Sequence, residues 1–161
     1  MTKKLNIWTF LGSFFGVGFI PKAPGTFGSL AAYGIYLLLP AVCFEPMYRL
    51  WYLLALAAFS LIAVLISDRS ERVLGHDAGA IVIDEVAGYF LSVAFLPKTW
   101  LVGLYAFVLF RVFDIAKPFP ISRSQSIKGG WGVVIDDLLA GVYAIILLLI
   151  INNIYPKFFG I

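Results

Sequence analysis

The stretch LWYLLALAAFSLIAVLI, Leu50 to Ile66, runs for 17 residues without a charge. At 1.5 Å per residue a helix of that length covers roughly 25 Å, close to the apolar thickness of a bilayer. The rest of the chain agrees with it. Hydrophobic residues make up 61% of the 161 and charged residues only 13%, where a soluble domain carries about 25% charged residues. That composition excludes an ordinary water-soluble globule, because one buried core cannot absorb so much apolar surface and several segments must face lipid. The length suits a single integral-membrane domain over residues 1–161.

Four further apolar runs accompany this one. Phe27 to Val42 carries Gly28, Ser29 and Gly34, and Ala78 to Leu96 encloses Asp84 and Glu85. Trp100 to Ile115 is interrupted near its end by Arg111 and Asp114, and Val133 to Ile154 holds Asp136 and Asp137 near its start. The predicted fold is therefore all-α, a polytopic membrane bundle of about five transmembrane helices. Leu5 to Ile20 is aromatic and apolar but holds Gly12, Gly16 and Gly18 and stops at Pro21, so it reads as an interfacial or re-entrant segment. No small-residue cleavage site follows its apolar part, which argues against a signal peptide.

Alternating helices place Lys3, Lys4, Lys22, Arg69, Arg72, Lys117, Arg123 and Lys128 on one side of the membrane, and Arg49, Lys98 and Lys157 on the other. The positive-inside rule makes the richer side cytoplasmic. The same alternation gathers Pro24-Gly25-Thr26, Asp84-Glu85, Asp114, Lys117 and Asp136-Asp137 at that side. Glu85 is expected about 10 Å along its helix from Ala78, below the headgroups and short of the midplane, where a site reaches a lipid headgroup.

Asp84, Glu85, Asp114, Asp136 and Asp137 at that depth lose hydration and repel one another, and Arg111 and Lys117 balance only part of their charge. A hard divalent cation supplies the remainder, and Mg²⁺ takes oxygen ligands while keeping waters and substrate phosphate in its shell. The candidate ligands are Asp84, Glu85, Asp136 and Asp137. Neighbours on a helix point about 100° apart, so one member of each pair ligates while the other orients it; which is which stays open. His76, just before the third run, is a candidate proton donor or outer ligand. Thr26 is either a helix N-cap or, with the helix-start amides, a contact to a phosphate oxygen.

Other readings are weaker. Cys43 is the single cysteine, which excludes an internal disulfide and a Cys-rich zinc site. Cys43 and Arg49 imitate the spacing of a cysteine phosphatase loop, but the residues between them lack glycine and include Pro46, which has no N–H for phosphate. The net charge of +3 carries no basic run suited to nucleic acid. A cation transporter needs polar residues continuing across the bilayer, yet Ala144 to Ile151 and Leu91 to Leu96 are almost wholly apolar. A phosphotransferase acting on nucleotide-activated lipids would show an Asp-x-x-Asp-Gly-x-x-Ala-Arg series, which is missing.

Four ordered blocks, APGTFGSLAA (23–32), VIDEVAG (82–88), FRVFDIAKPFPI (110–121) and GGWGVVIDDLLAG (129–141), resemble the phosphatidylglycerophosphatase A family over nearly the whole chain. The resemblance implies a Mg²⁺-dependent phosphatase of the bacterial cytoplasmic (inner) membrane, its active site facing the cytoplasm. It would hydrolyse the terminal phosphate of phosphatidylglycerophosphate to give phosphatidylglycerol. The family's acidic positions fall on Asp84, Glu85, Asp114, Asp136 and Asp137, its basic ones on Arg111 and Lys117, and Thr26 lies in the first block. Ser122 to Lys128 departs from the pattern, so Arg123 and Lys128 are not carried over as substrate contacts. Direct attack by water and a covalent aspartyl-phosphate route both fit these residues.

Overall fold

A computed structural model describes residues 5–76, 78–124 and 127–159, and every regular element among them is helical. Besides four short 3-10 helices, these are in chain order α1 (Ile7–Gly12), α2 (Pro24–Leu38), α3 (Arg49–Leu74), α4 (Ile83–Ser92), α5 (Trp100–Ala116), α6 (Ile121–Ser124) and α7 (Gly130–Ile154). Two helices among the described residues, Pro46–Leu74 and Gly130–Ile154, are long and apolar enough to cross a membrane. Exposed Leu54, Leu61, Ile62 and Leu65 give α3 an outer surface that suits lipid better than water.

The remaining expected spans are shorter. With 15 and 17 residues, α2 and α5 run about 22 and 25 Å. The third is corrected more sharply. Its helix α4 has 10 residues, about 15 Å, which is too short to cross a bilayer alone. The chain before Ile83 is an apolar loop whose Val82 N–H donates to the Gly12 carbonyl at 2.8 Å, and a turn ahead of Pro97 follows Ser92. Asp84 and Glu85 therefore lie in the first turn of α4, not the expected 10 Å along a helix from Ala78.

At the centre stands α4, packed against α7, α2 and α3. Its crossing with α7 is close: a Cβ on Gly141 would lie 2.4 Å from the Gly88 carbonyl oxygen, so only glycine lets these backbones meet. Tyr36, Tyr89, Phe110 and Leu148 fill the core. Two of its hydroxyls end on carbonyls, Tyr36 on Thr99 at 3.0 Å and Tyr89 on Gly103 at 3.2 Å, which makes their burial tolerable.

The amino-terminal segment begins with α1, capped by Asn6, whose side chain accepts from the Thr9 N–H at 2.9 Å. Six residues reach about 9 Å, so α1 does not cross a bilayer. The chain then doubles back through positive φ at Phe14, Phe15 and Gly16. Ser70 donates to the Trp8 carbonyl at 2.8 Å and ties α1 to α3. This hairpin braces the loop that feeds α4 into the bundle.

Candidate active site

Four elements converge at one end of the bundle: the first turns of α2 and α4, the last turn of α5 and the second turn of α7. Asp84, Asp114, Asp136 and Asp137 are buried there, and the Glu85 side chain is 13% exposed. Charged groups in such a place need partners. Lys117 hydrogen-bonds Asp136 at 2.5 Å, and Arg111 is paired with Asp114. Arg111 also stands 3.9 Å from Glu85.

The adjacent acids on α7 thus divide their work. Asp136 turns to Lys117, while Asp137, about 100° further round the helix, faces Asp84 and Glu85. Oxygens of Asp84, Glu85 and Asp137 lie within 4.8 Å of one another. On each of these three carboxylates one buried oxygen (Asp84 Oδ1, Glu85 Oε2, Asp137 Oδ2) has no hydrogen-bond partner among the described residues. Converging, unsatisfied, hard oxygen donors with no thiolate or imidazole among them fit a Mg²⁺-type cation better than zinc. The sequence could not say which acids would gather; the structure brings together three of the four candidate ligands and gives the fourth to a lysine.

Lys117 follows α5 in a left-handed conformation, φ 42°, which turns the chain toward α7. Burial works against its charge, but the hydrogen bond to Asp136 and the charges of Asp136, Asp114 and Asp137 outweigh that and raise its pKa above the ordinary lysine value. Lys117→Met removes the cation beside the buried Asp136 carboxylate, with an expected loss of about 2 kcal/mol of stability. Adding Asp136→Asn should restore most of it, as read by thermal unfolding in detergent.

Pro24 is the first residue of α2, and Ala23 occupies the N-cap position in a left-handed conformation without a side-chain cap. Thr26 is therefore not the N-cap; it lies in the first turn, and its N–H donates to the Ala23 carbonyl at 3.0 Å. Its neighbour Gly25 is the residue that sequence reasoning missed. A Cβ there would lie 2.2 Å from Glu85 Oε1 and 3.0 Å from Arg111 Nη1, so the bare backbone forms the floor under both side chains. The signal was the Pro-Gly-Thr block, in which glycine reads first as a turn residue.

His76 is placed elsewhere. Its Nδ1 pairs with Glu71 at 2.8 Å and its side chain is 63% exposed, beside the exposed Arg72–Asp68 pair at the end of α3. His76→Gln is expected to leave kcat/KM within about twofold of wild type, because no group in the acidic cluster leans on the ring. Arg123 stacks on Phe119, and Arg49 stacks on Phe95 in place of any phosphate loop with Cys43.

Fold and centre together define a helical protein whose acidic, base-flanked centre is enclosed at one end of apolar helices. A family model for phosphatidylglycerophosphatase A matches residues 10–152, and the chain belongs to that family. By that membership it is a phosphoric monoester hydrolase. It is 38% identical to phosphatidylglycerophosphatase A of Haemophilus influenzae, over 86% of this chain and 84% of the relative. Identity to the Escherichia coli protein of the same name is 35%, over 96% and 88%. A Bacteroides thetaiotaomicron protein provisionally named a phosphatidylinositol-3-phosphatase is also 38% identical, over 86% and 89%. No solved structure matches the chain.

Proposed function

We propose that the protein hydrolyses the terminal phosphate monoester of phosphatidylglycerophosphate, with Mg²⁺ as cofactor, at the cytoplasmic face of a bacterial inner membrane, through a bundle in which α2, α3, α5 and α7 cross and α4 is enclosed. The observation that carries this is the unbalanced charge of the centre: five acids share two basic side chains, Arg111 and Lys117, and three of those acids, Asp84, Glu85 and Asp137, converge. Asp84, Glu85 and Asp137 would hold the cation. When bound, Mg²⁺ supplies positive charge to the phosphate oxygens, where a loose phosphoryl-transfer transition state gains most.

The chain's own groups do the rest. Arg111 is held by Asp114 and Glu85, and its buried Nε has no partner among the described residues, leaving a donor for a phosphate oxygen. Lys117, fixed by Asp136, adds a second cation without titrating near neutral pH. The first turn of α2 contributes helix-start amides beside Gly25 and Thr26. Burial keeps bulk water away and strengthens each of these interactions. The acids cluster at one end of the bundle instead of along a path through it, which disfavours a cation transporter.

Phosphate release by the purified protein in detergent tests the reading. Phosphatidylglycerophosphate should be the best substrate against phosphatidylinositol 3-phosphate and phosphatidic acid, and a chelator should abolish turnover until Mg²⁺ is restored. Preference for the inositol lipid would overturn the headgroup assignment, and turnover indifferent to the chelator would overturn the cofactor.

A further inference from the structure

Between α2 and α3, both of which pack on α4, lies a cavity of about 700 Å³. Ile35 and, just past its end, Leu39 line it from α2, Ala55 and Phe59 from α3, and Val86 and Phe90 from α4. At one end it reaches Val86, the residue after Glu85 on α4, while the acids themselves lie outside its walls. From Phe59 it follows α3 back to Trp51, eight residues or about 12 Å, away from the acids. That length approaches the apolar depth of one leaflet, about 15 Å. The walls are almost wholly apolar, and the Tyr52 hydroxyl among them is committed to the Phe90 carbonyl at 2.6 Å. Trp51, at the far end, is 69% exposed on the outer surface, so the cavity opens sideways.

From these features we infer that the cavity seats one fatty acyl chain of the substrate lipid and thereby presents its headgroup phosphate to the acids at the Val86 end. The inference rests on the lipid-phosphate activity proposed above. Its volume falls among cavities that take whole ligands, roughly 300–1,000 Å³. A chain passing from bilayer to cavity moves between two apolar media, so little is gained from the hydrophobic effect. The seat acts by orientation: with one tail fixed, the phosphate arrives in register with Arg111 and the acidic cluster.

The test fills the cavity without disturbing the core. Ala55 is exposed on its wall, so Ala55→Phe adds bulk to the groove alone. Ala57, about 200° round the same helix, lines a separate cavity of about 410 Å³ between α3 and α7, and Ala57→Phe is the matched control. With dioleoyl phosphatidylglycerophosphate, Ala55→Phe is expected to lower kcat/KM about tenfold or more. With the dihexanoyl lipid, whose tails are too short to need the seat, the same variant should stay within about twofold of wild type, and Ala57→Phe should do so on both. Equal losses on both lipids, no loss on either, or a loss with Ala57→Phe alone would overturn the inference. Failure of the wild-type protein to release phosphate from either lipid would instead remove the proposed activity. A diazirine on the acyl chain of the same lipid still decides the seat in that case: labelling of cavity residues on α3 and α4 supports it, and labelling elsewhere defeats it.

Discussion

Asp84→Asn, Glu85→Gln and Asp137→Asn are each expected to lower phosphate release by about 10³-fold while leaving the fold intact. The two effects share a cause. Three carboxylates converge within 4.8 Å, and each keeps a buried oxygen that none of the described residues satisfies. Without a cation they repel, so neutralising one relieves the bundle, and in chelator each variant should unfold at or above the wild-type temperature. With Mg²⁺ the order reverses. A ligand at 100 times its Kd stabilises by about 2.7 kcal/mol, and only the wild-type cluster should show a shift of that kind. Asp136→Asn is the contrast: its partner is Lys117, so the Mg²⁺-dependent shift should survive and activity should fall only about tenfold. The measurement is thermal unfolding in detergent, with Mg²⁺ or chelator, beside kcat. An inactive Asp137→Asn that kept the full Mg²⁺ shift would remove Asp137 from the cation site.

How far the sequence reaches can be judged from particular residues. Helices α3, α5 and α7 were legible because each is a long apolar run bounded by polar residues, and hydropathy reports just that. The stretch from Ala78 to Leu96 misled for the same reason: a loop buried against α1 is as apolar as a span, and composition does not separate them. The acids were legible because charge is scarce in this chain and costly inside apolar helices. Their division of labour was not, since whether Asp136 or Asp137 faces α4 depends on the rotation of α7 against its neighbours. His76 precedes Asp84 by eight residues in the chain, yet its ring pairs with Glu71 on α3. Nearness in sequence carried no information about which side the ring would take.

Gly25→Ala is expected to cost about 10²-fold in kcat/KM and to leave the fold intact, a pairing that separates site geometry from folding. Alanine is a better helix former than glycine, by up to about 1 kcal/mol in a helix interior, and Gly25, the second residue of α2, has no positive φ that would require glycine. What it provides is space. The added Cβ would stand 2.2 Å from Glu85 Oε1 and 3.0 Å from Arg111 Nη1, and both atoms are the ends of flexible side chains that can move without disturbing any backbone. The fold therefore absorbs the change, and the site does not: Glu85 shifts away from Asp84 and Asp137, and Arg111 loses its position between Glu85 and Asp114. A displacement of about 1 Å at groups that align a phosphate costs on this order. Because the displaced groups include a proposed cation ligand, the Mg²⁺ needed for half-maximal activity should also rise. Wild-type kcat/KM in Gly25→Ala would mean that the contact between the α2 start and the acidic cluster is only packing, and the Pro-Gly-Thr segment would lose its place in the active site.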